Sequence, residues 1–191
     1  GSMIKIGILG DIGSGKSYIA RCFRCPVFNA DHEVSKLYKN DFKVFKKLKK
    51  SLPKFIYSFP ISKNEITRAI LSNKSNLKKI VKIVHLEIKK KMNAYLRKHE
   101  NKKIVVLDIP LLLENKINSK KDILVFVESK KVEVLKKLRK RNNFNKKLYK
   151  KFRNIQLPPG YKKKKSNYII KNDFTSKCAK RAIKNILRQI N

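Results

Sequence analysis

Gly10-Asp11-Ile12-Gly13-Ser14-Gly15-Lys16-Ser17 satisfies G-x-x-x-x-G-K-[ST] at every defined position. Glycines let the chain turn tightly, so that successive amides point inward at phosphate oxygens and form a concave anion nest clear of side chains. The helix expected to follow adds the unpaired amides of its first turn. Lys16 reaches the β and γ phosphates of a nucleoside triphosphate, and the Ser17 hydroxyl ligates magnesium. Four of the six glycines (Gly7, Gly10, Gly13 and Gly15) fall in this neighbourhood; Gly1, with Ser2 ahead of Met3, reads as an expression scar, and Gly160 lies elsewhere. The spacing is not G-x-G-x-x-G, and a dinucleotide-binding loop would leave the Lys-Ser pair unexplained.

Working outward, Ile4 to Leu9 is a short apolar run that reads as a buried strand, and the helix after the loop should end before Pro26. Val27 to Ala30 reads as a second strand. From Asp31 to about Lys50 the apolar positions Val34, Leu37, Tyr38, Phe42, Phe45 and Leu48 predict one helix. Leu52 to Ile61, with Pro53 and Pro60, is a connection; Ser62 and Glu65 form a capping-box pattern that opens a helix to about Leu71. A long helix should run from roughly Ser75 to His99. Ile104 to Leu107 and Ile123 to Val127 are continuous apolar runs, as in strands of a parallel sheet buried on both faces. Lys130 to Arg141 reads as a basic helix. The polar segment 142–165, with Pro158, Pro159, Gly160 and four consecutive lysines, reads as mobile. Tyr168 to Ile170 is a last strand, and Thr175 to Ile190 a terminal helix. Strands alternating with helices predict a doubly wound α/β fold with a mostly parallel five-stranded sheet.

The 191 residues suffice for one core. No apolar run approaches the roughly 18 to 20 residues of a spanning helix, so the expectation is a soluble cytoplasmic protein, a monomer or weak oligomer, with no membrane partner. Cys22 and Cys25 form a C-x-x-C, but no second pair or His cluster completes a tetrahedral metal site. The formal charge is +37. Clustered cations would suit nucleic acid, and a basic nucleic-acid-associated NTPase stays open as an alternative beside a nucleoside or nucleotide kinase. These lysines, however, are dispersed along the whole chain, as on solvated helix faces.

In an open parallel sheet ligands sit beyond the carboxyl ends of the strands. Two acids qualify: Asp31 follows Val27 to Ala30, and Asp108 follows Ile104 to Leu107. One such carboxylate can take or orient the proton of an acceptor hydroxyl, and another can hold the waters of magnesium. Asp31 also suits a helix N-cap, and His85, on an apolar helical face, also suits a core position.

At this point the chain resembles dephospho-coenzyme A kinases. Ile6 to Ser17 is similar to the family opening I-G-L-T-G-G-I-G-S-G-K-S, Asn29-Ala30-Asp31 to its D-A-D, and Asp108-Ile109-Pro110-Leu111-Leu112-Leu113-Glu114 to its D-x-P-L-L-x-E. Thr67-Arg68 and Val84-His85 resemble the helical Arg and the H-P pair. Leu138 to Arg141 resembles the lid's R-L-x-x-R, Gln156 its Gln, and Tyr168 to Asn172 its closing strand and the Asn that ends it. The resemblance implies a three-layer P-loop kinase fold in a single domain, 1–191, with a core at about 3–33 and 102–191, a helical substrate-binding insertion at about 34–101 and a lid at about 142–165. It implies ATP-dependent phosphorylation of the ribose 3′-hydroxyl of dephospho-coenzyme A, with ATP and Mg2+. Residues Asp11 to Tyr18 would bind ATP, with Lys16 catalytic and Ser17 on the metal. Asp31 would be the base, and Arg141, with Lys137 or Arg153, would stabilise the transferring group. Asp31, Arg68, His85, Asp108 and Leu111 would contact the acceptor. The chain departs from the pattern at Asp11 (for Gly), Tyr18 (for Thr), Asn29 (for Asp), Leu86 (for Pro), Lys137 (for Arg) and Phe152 (for the Arg before the Gln).

Overall fold

Strands β1 (Ile4–Gly10), β2 (Val27–Asn29), β3 (Ile104–Asp108), β4 (Ile123–Glu128) and β5 (Tyr168–Lys171) form one sheet in the order β2-β3-β1-β4-β5. The structure, a computed structural model, describes residues 2–142 and 144–191. Every neighbouring pair of strands is parallel. All five residues of β3 are buried, as a strand covered on both faces requires. Because β1 lies between β3 and β4, the order reverses beside it, and the loop that leaves β1 starts at the crevice where such sheets bind ligands.

The chain divides into two compact units. The first comprises Gly1–Asn29, Tyr95–Phe144 and Leu157–Asn191 and contains the whole sheet. Helices α1 (Lys16–Cys22) and α9 (Ser176–Ile190) cover it: Ile19, Ile183 and Ile186 join Ile6, Ile8, Val106, Val125, Val127 and Ile170 in its core. Each such buried side chain contributes about 1.5–3 kcal/mol by removal from water. Cys22 and Cys25 pack against that core, and the Cys25 thiol donates to the Phe23 carbonyl. Helix α6 (Lys131–Arg139) follows β4.

The second unit comprises Ala30–Ala94 and Asn145–Gln156. The single helix expected from Asp31 to Lys50 is two, α2 (Ala30–Asn40) and α3 (Phe42–Ser51). Asp41, extended at φ −98°, ψ 99°, caps α3 by accepting from Val44 N at 2.9 Å. Its short carboxylate offers the backbone an alternative to continuing the helix, and the apolar spacing runs straight through the break.

Helix α4 (Lys63–Ser72) starts at Ser62, whose hydroxyl accepts from Asn64 N, but the reciprocal half of the capping box is redirected. Glu65, 2 % exposed, accepts instead from Tyr57 N (2.7 Å) and Ser58 N (3.0 Å) and so fixes the preceding connection. Helix α5 (Asn76–Lys98) buries Leu77, Ile80, Val84, Ile88 and Met92 on one stripe.

The polar segment expected to be mobile contains two helices, α7 (Lys146–Asn154), capped by Asn145, and α8 (Pro159–Lys165), which begins at a proline whose missing N–H costs nothing there. Helix α7 falls in the second unit and α8 in the first. Among the described residues no helix is long and apolar enough to cross a membrane.

Candidate active site

The loop between β1 and α1 is curled by glycines at two points. Gly13 has φ 82° and Gly15 φ 89°, left-handed values that a Cβ disfavours. Space forbids a side chain as well: a methyl at Gly13 would meet Leu138 Cγ of α6 at 2.8 Å, and one at Gly15 would meet Asn172 Nδ2 at 2.4 Å. The Ser14 carbonyl accepts from two directions, from Ser129 Oγ after β4 (2.7 Å) and from Asn172 Nδ2 after β5 (2.8 Å). Strands remote in sequence thus hold the loop's shape. The Ser14 hydroxyl is buried with no partner in the structure.

Asp108, at the end of β3, is 3 % exposed and receives three side-chain donors. Ser17 Oγ donates to its Oδ2 at 2.6 Å, Asn29 Nδ2 to the same oxygen at 3.3 Å, and Lys16 Nζ to Oδ1 at 3.3 Å. The parallel register that pairs Asn29 with Asp108 sets this geometry. A carboxylate and a hydroxyl oxygen side by side form a hard donor set of the kind magnesium takes. The acid expected to contact the acceptor is therefore in contact with the loop's Lys16 and Ser17.

Asp11 and Ser14 line a cavity of about 270 Å³ with Val127, Glu128, Ser129 and Lys163. Tyr18 is 36 % exposed, and a hydrogen bond with the Cys22 thiol one turn along α1 holds its phenol above the usual value.

Beyond Asp108, Leu112 is fully buried against Gly7, where a methyl would lie 2.6 Å from Leu112 Cδ2. The Leu111 carbonyl closes a turn by accepting from Asn115 N. Glu114 Oε2 accepts from Leu157 N at 2.8 Å and pairs with Lys162 Nζ at 2.7 Å. Lys163 pairs with Glu128. Lys162 is 2 % exposed in a chain whose lysines are mostly solvated, so α8 is fastened to the core through the last residue of the D-x-P-L-L-x-E segment.

Sequence reasoning did not find Ser129 or Lys162; it matched Asn172 to the family's Asn without foreseeing its bond to the Ser14 carbonyl. One lysine in a run of four carries no mark of burial, and a lone serine after a strand carries none of its partner. Buried Leu138 of α6 packs against Gly13; Lys137, just before it, and Arg141, two residues past the helix end, are exposed.

In the helical unit, Asp31 and Glu33 lie in the first turn of α2. The helix starts at Ala30, so Asp31 is inside it and not at the cap position, where its charge still suits the helix N-terminus. Arg68 is exposed on α4 and donates to the Tyr57 hydroxyl at 3.2 Å. His85 lies half-buried on α5 with Nδ1 buried and unpartnered; burial, then Lys89, lowers its pKa.

A parallel sheet with a G-x-x-x-x-G-K-S loop after its central strand, and a buried aspartate joined to that loop's lysine and serine, defines a P-loop phosphotransferase. The model of the dephospho-CoA kinase family matches residues 4–177, and the chain belongs to that family. A dephospho-CoA kinase of Wolbachia pipientis wMel is 30 % identical over 191 residues, 97 % of each chain. Two solved structures share the fold. A protein from Thermus thermophilus aligns over 100 % of both chains at 24 % identity with a TM-score of 0.80. A dephospho-CoA kinase from Campylobacter jejuni aligns over 98 % of this chain and 97 % of that one, at 18 % identity and a TM-score of 0.63.

Proposed function

We propose that this kinase transfers the γ-phosphoryl group of ATP to the ribose 3′-hydroxyl of dephospho-coenzyme A, giving coenzyme A and ADP. The observation that carries the reading is the family match over residues 4–177, which takes in the phosphate loop, Asp108 to Glu114, and the helical segment with Arg68 and His85. Lys16 and the loop from Asp11 to Tyr18 bind the triphosphate. Lys16 exchanges its contact with Asp108 for the β and γ phosphates, as a flexible ammonium can. Ser17 and Asp108 would hold magnesium, whose chemistry is to neutralise charge on the phosphate oxygens.

Asp31, two residues beyond β2, takes or orients the proton of the attacking hydroxyl. Arg141, with Lys137, offsets charge on the transferring group, a term that acts most strongly where water is excluded. Arg68, His85 and Leu111 contact the acceptor. Both substrates are water-soluble, and the assignment includes a cytoplasmic location.

A coupled assay of ADP release tests this: dephospho-coenzyme A should support turnover, and a panel of nucleosides should not. Turnover with a nucleoside and none with dephospho-coenzyme A would sink the acceptor assignment. An Asp31→Ala protein that keeps the wild-type rate would sink the base.

A further inference from the structure

Phe174 follows β5 in the left-handed region, at φ 65°, a conformation that favours glycine. Its surroundings fix it there. The Phe174 amide donates to Asn172 Oδ1 at 2.9 Å, while Nδ2 of the same asparagine holds the Ser14 carbonyl of the phosphate loop at 2.8 Å. Ring atom Cε1 would be 3.4 Å from a methyl built on Gly15, so the half-buried ring lies beside the loop's last glycine. On the ring sits a cation: Lys137 Nζ of α6 is 5.2 Å from the centroid. Lys137 directly precedes Leu138, which packs on Gly13. Backbone strain with an aromatic side chain, at a position where glycine would be strain-free, persists where the surroundings over-determine it and clusters at functional sites.

We propose that Phe174 is a positioning residue for phosphoryl transfer, its ring holding the Lys137 ammonium beside the phosphate loop. The chemistry explains the need. A guanidinium is a planar fork that aligns itself on a phosphoryl group, whereas an ammonium on a four-carbon stem is a mobile point charge. A ring face under the ammonium restricts where that charge can be, through attraction to the ring quadrupole. The same asparagine fixes both the loop and the residue carrying the ring, so the ammonium keeps its register with the phosphates. The inference rests on the kinase reading and on Lys137 acting in it.

The test compares wild type, Phe174→Leu, Phe174→Trp, Lys137→Met and the Lys137→Met/Phe174→Leu double variant, all full-length. Each is assayed for kcat, for KM of ATP and of dephospho-coenzyme A, and for thermal midpoint. Leucine keeps the apolar contact and the strained backbone but removes the ring face. Phe174→Leu should lower kcat/KM for ATP roughly two- to fivefold, the size of an exposed cation–π contact. It should leave KM for dephospho-coenzyme A and the thermal midpoint unchanged. Phe174→Trp should retain the wild-type value, and in the Lys137→Met background the leucine change should have no further effect. Wild-type kinetics in Phe174→Leu would overturn the proposal. So would an equal loss in both backgrounds, because a merely structural role would persist without Lys137. Should wild type fail to phosphorylate dephospho-coenzyme A, the function assignment falls, and the pair is then read from ATP affinity by calorimetry in the same five proteins. There, non-additive losses sustain the proposal and additive ones end it.

Discussion

Asp108 and His85 are both ionisable side chains at candidate site positions, yet their surroundings differ in kind. Asp108 receives three donors within 3.3 Å, two of them from the phosphate loop. His85 has Nδ1 buried and unpartnered, and Arg68, on the next helix back, makes one bond to an exposed tyrosine. The difference teaches that the side chains around the phosphate loop are ordered by bonds to one another, with Asp108 at their centre. In the helical unit the buried His85 Nδ1 is left without a partner, and on the proposed function such a group is available to an acceptor.

The largest test of this contrast is at its rigid end. Asp108→Ala and Lys16→Ala should each lower kcat about 10²- to 10³-fold, the usual cost of losing one electrostatic contact in a transfer site. Circular dichroism should remain native; a tenfold or smaller loss in steady-state assay would break the picture of a preorganised donor side.

Next comes Gly15→Ala. The left-handed φ and the contact with Asn172 Nδ2 together should cost about 3 kcal/mol, read from urea unfolding, with ATP affinity falling as well. A variant as stable as wild type would mean that the loop yields and is not pinned.

Glu65→Ala probes a buried acid of the helical unit that accepts from two backbone amides. It leaves the Tyr57 and Ser58 amides without their acceptor, at about 2 kcal/mol. Acceptor KM should then rise as well, because Tyr57 carries Arg68.

Arg68→Ala should change only binding: KM for dephospho-coenzyme A up about tenfold, equivalent to roughly 1.4 kcal/mol, with kcat and thermal midpoint held. His85 gives the smallest effect and a definite sign. Its folded pKa lies below the ordinary value of about 6.5, so the unfolded chain binds the proton more readily. The stability it supports is present above about pH 6.5 and is lost as pH falls through the window beneath. His85→Gln should flatten that part of the stability–pH curve in unfolding measured from pH 7.5 to 5.

What the sequence disclosed follows the same division. The sheet was legible because β3 and β4 are continuous apolar runs closed by an acid and β1 is interrupted only by Lys5 and Gly7, and the loop because its glycines and Lys-Ser pair follow a spacing that phosphate geometry imposes. Asp108 stood out by following a strand in a chain with 13 acids. The break at Asp41 was hidden, since a single capping carboxylate does not disturb the apolar period on either side. Glu65 stood at the capping-box position but bonds backward to Tyr57, a choice made by tertiary packing. Asn172, Ser129 and Lys162 act across 158, 115 and 48 residues respectively (|i−j| of 14 to 172, 14 to 129 and 114 to 162). No local pattern reports such distances.

The bond from Asn172 to Ser14 also bears on how the protein is made. A ribosome releases the loop 158 residues ahead of Asn172, so the emerging chain carries the nucleotide-binding motif before it holds both tethers of that motif's shape. A nascent chain stalled before β5 adds beside β4 lacks the asparagine tether, and such a chain should bind ATP more weakly than the whole protein.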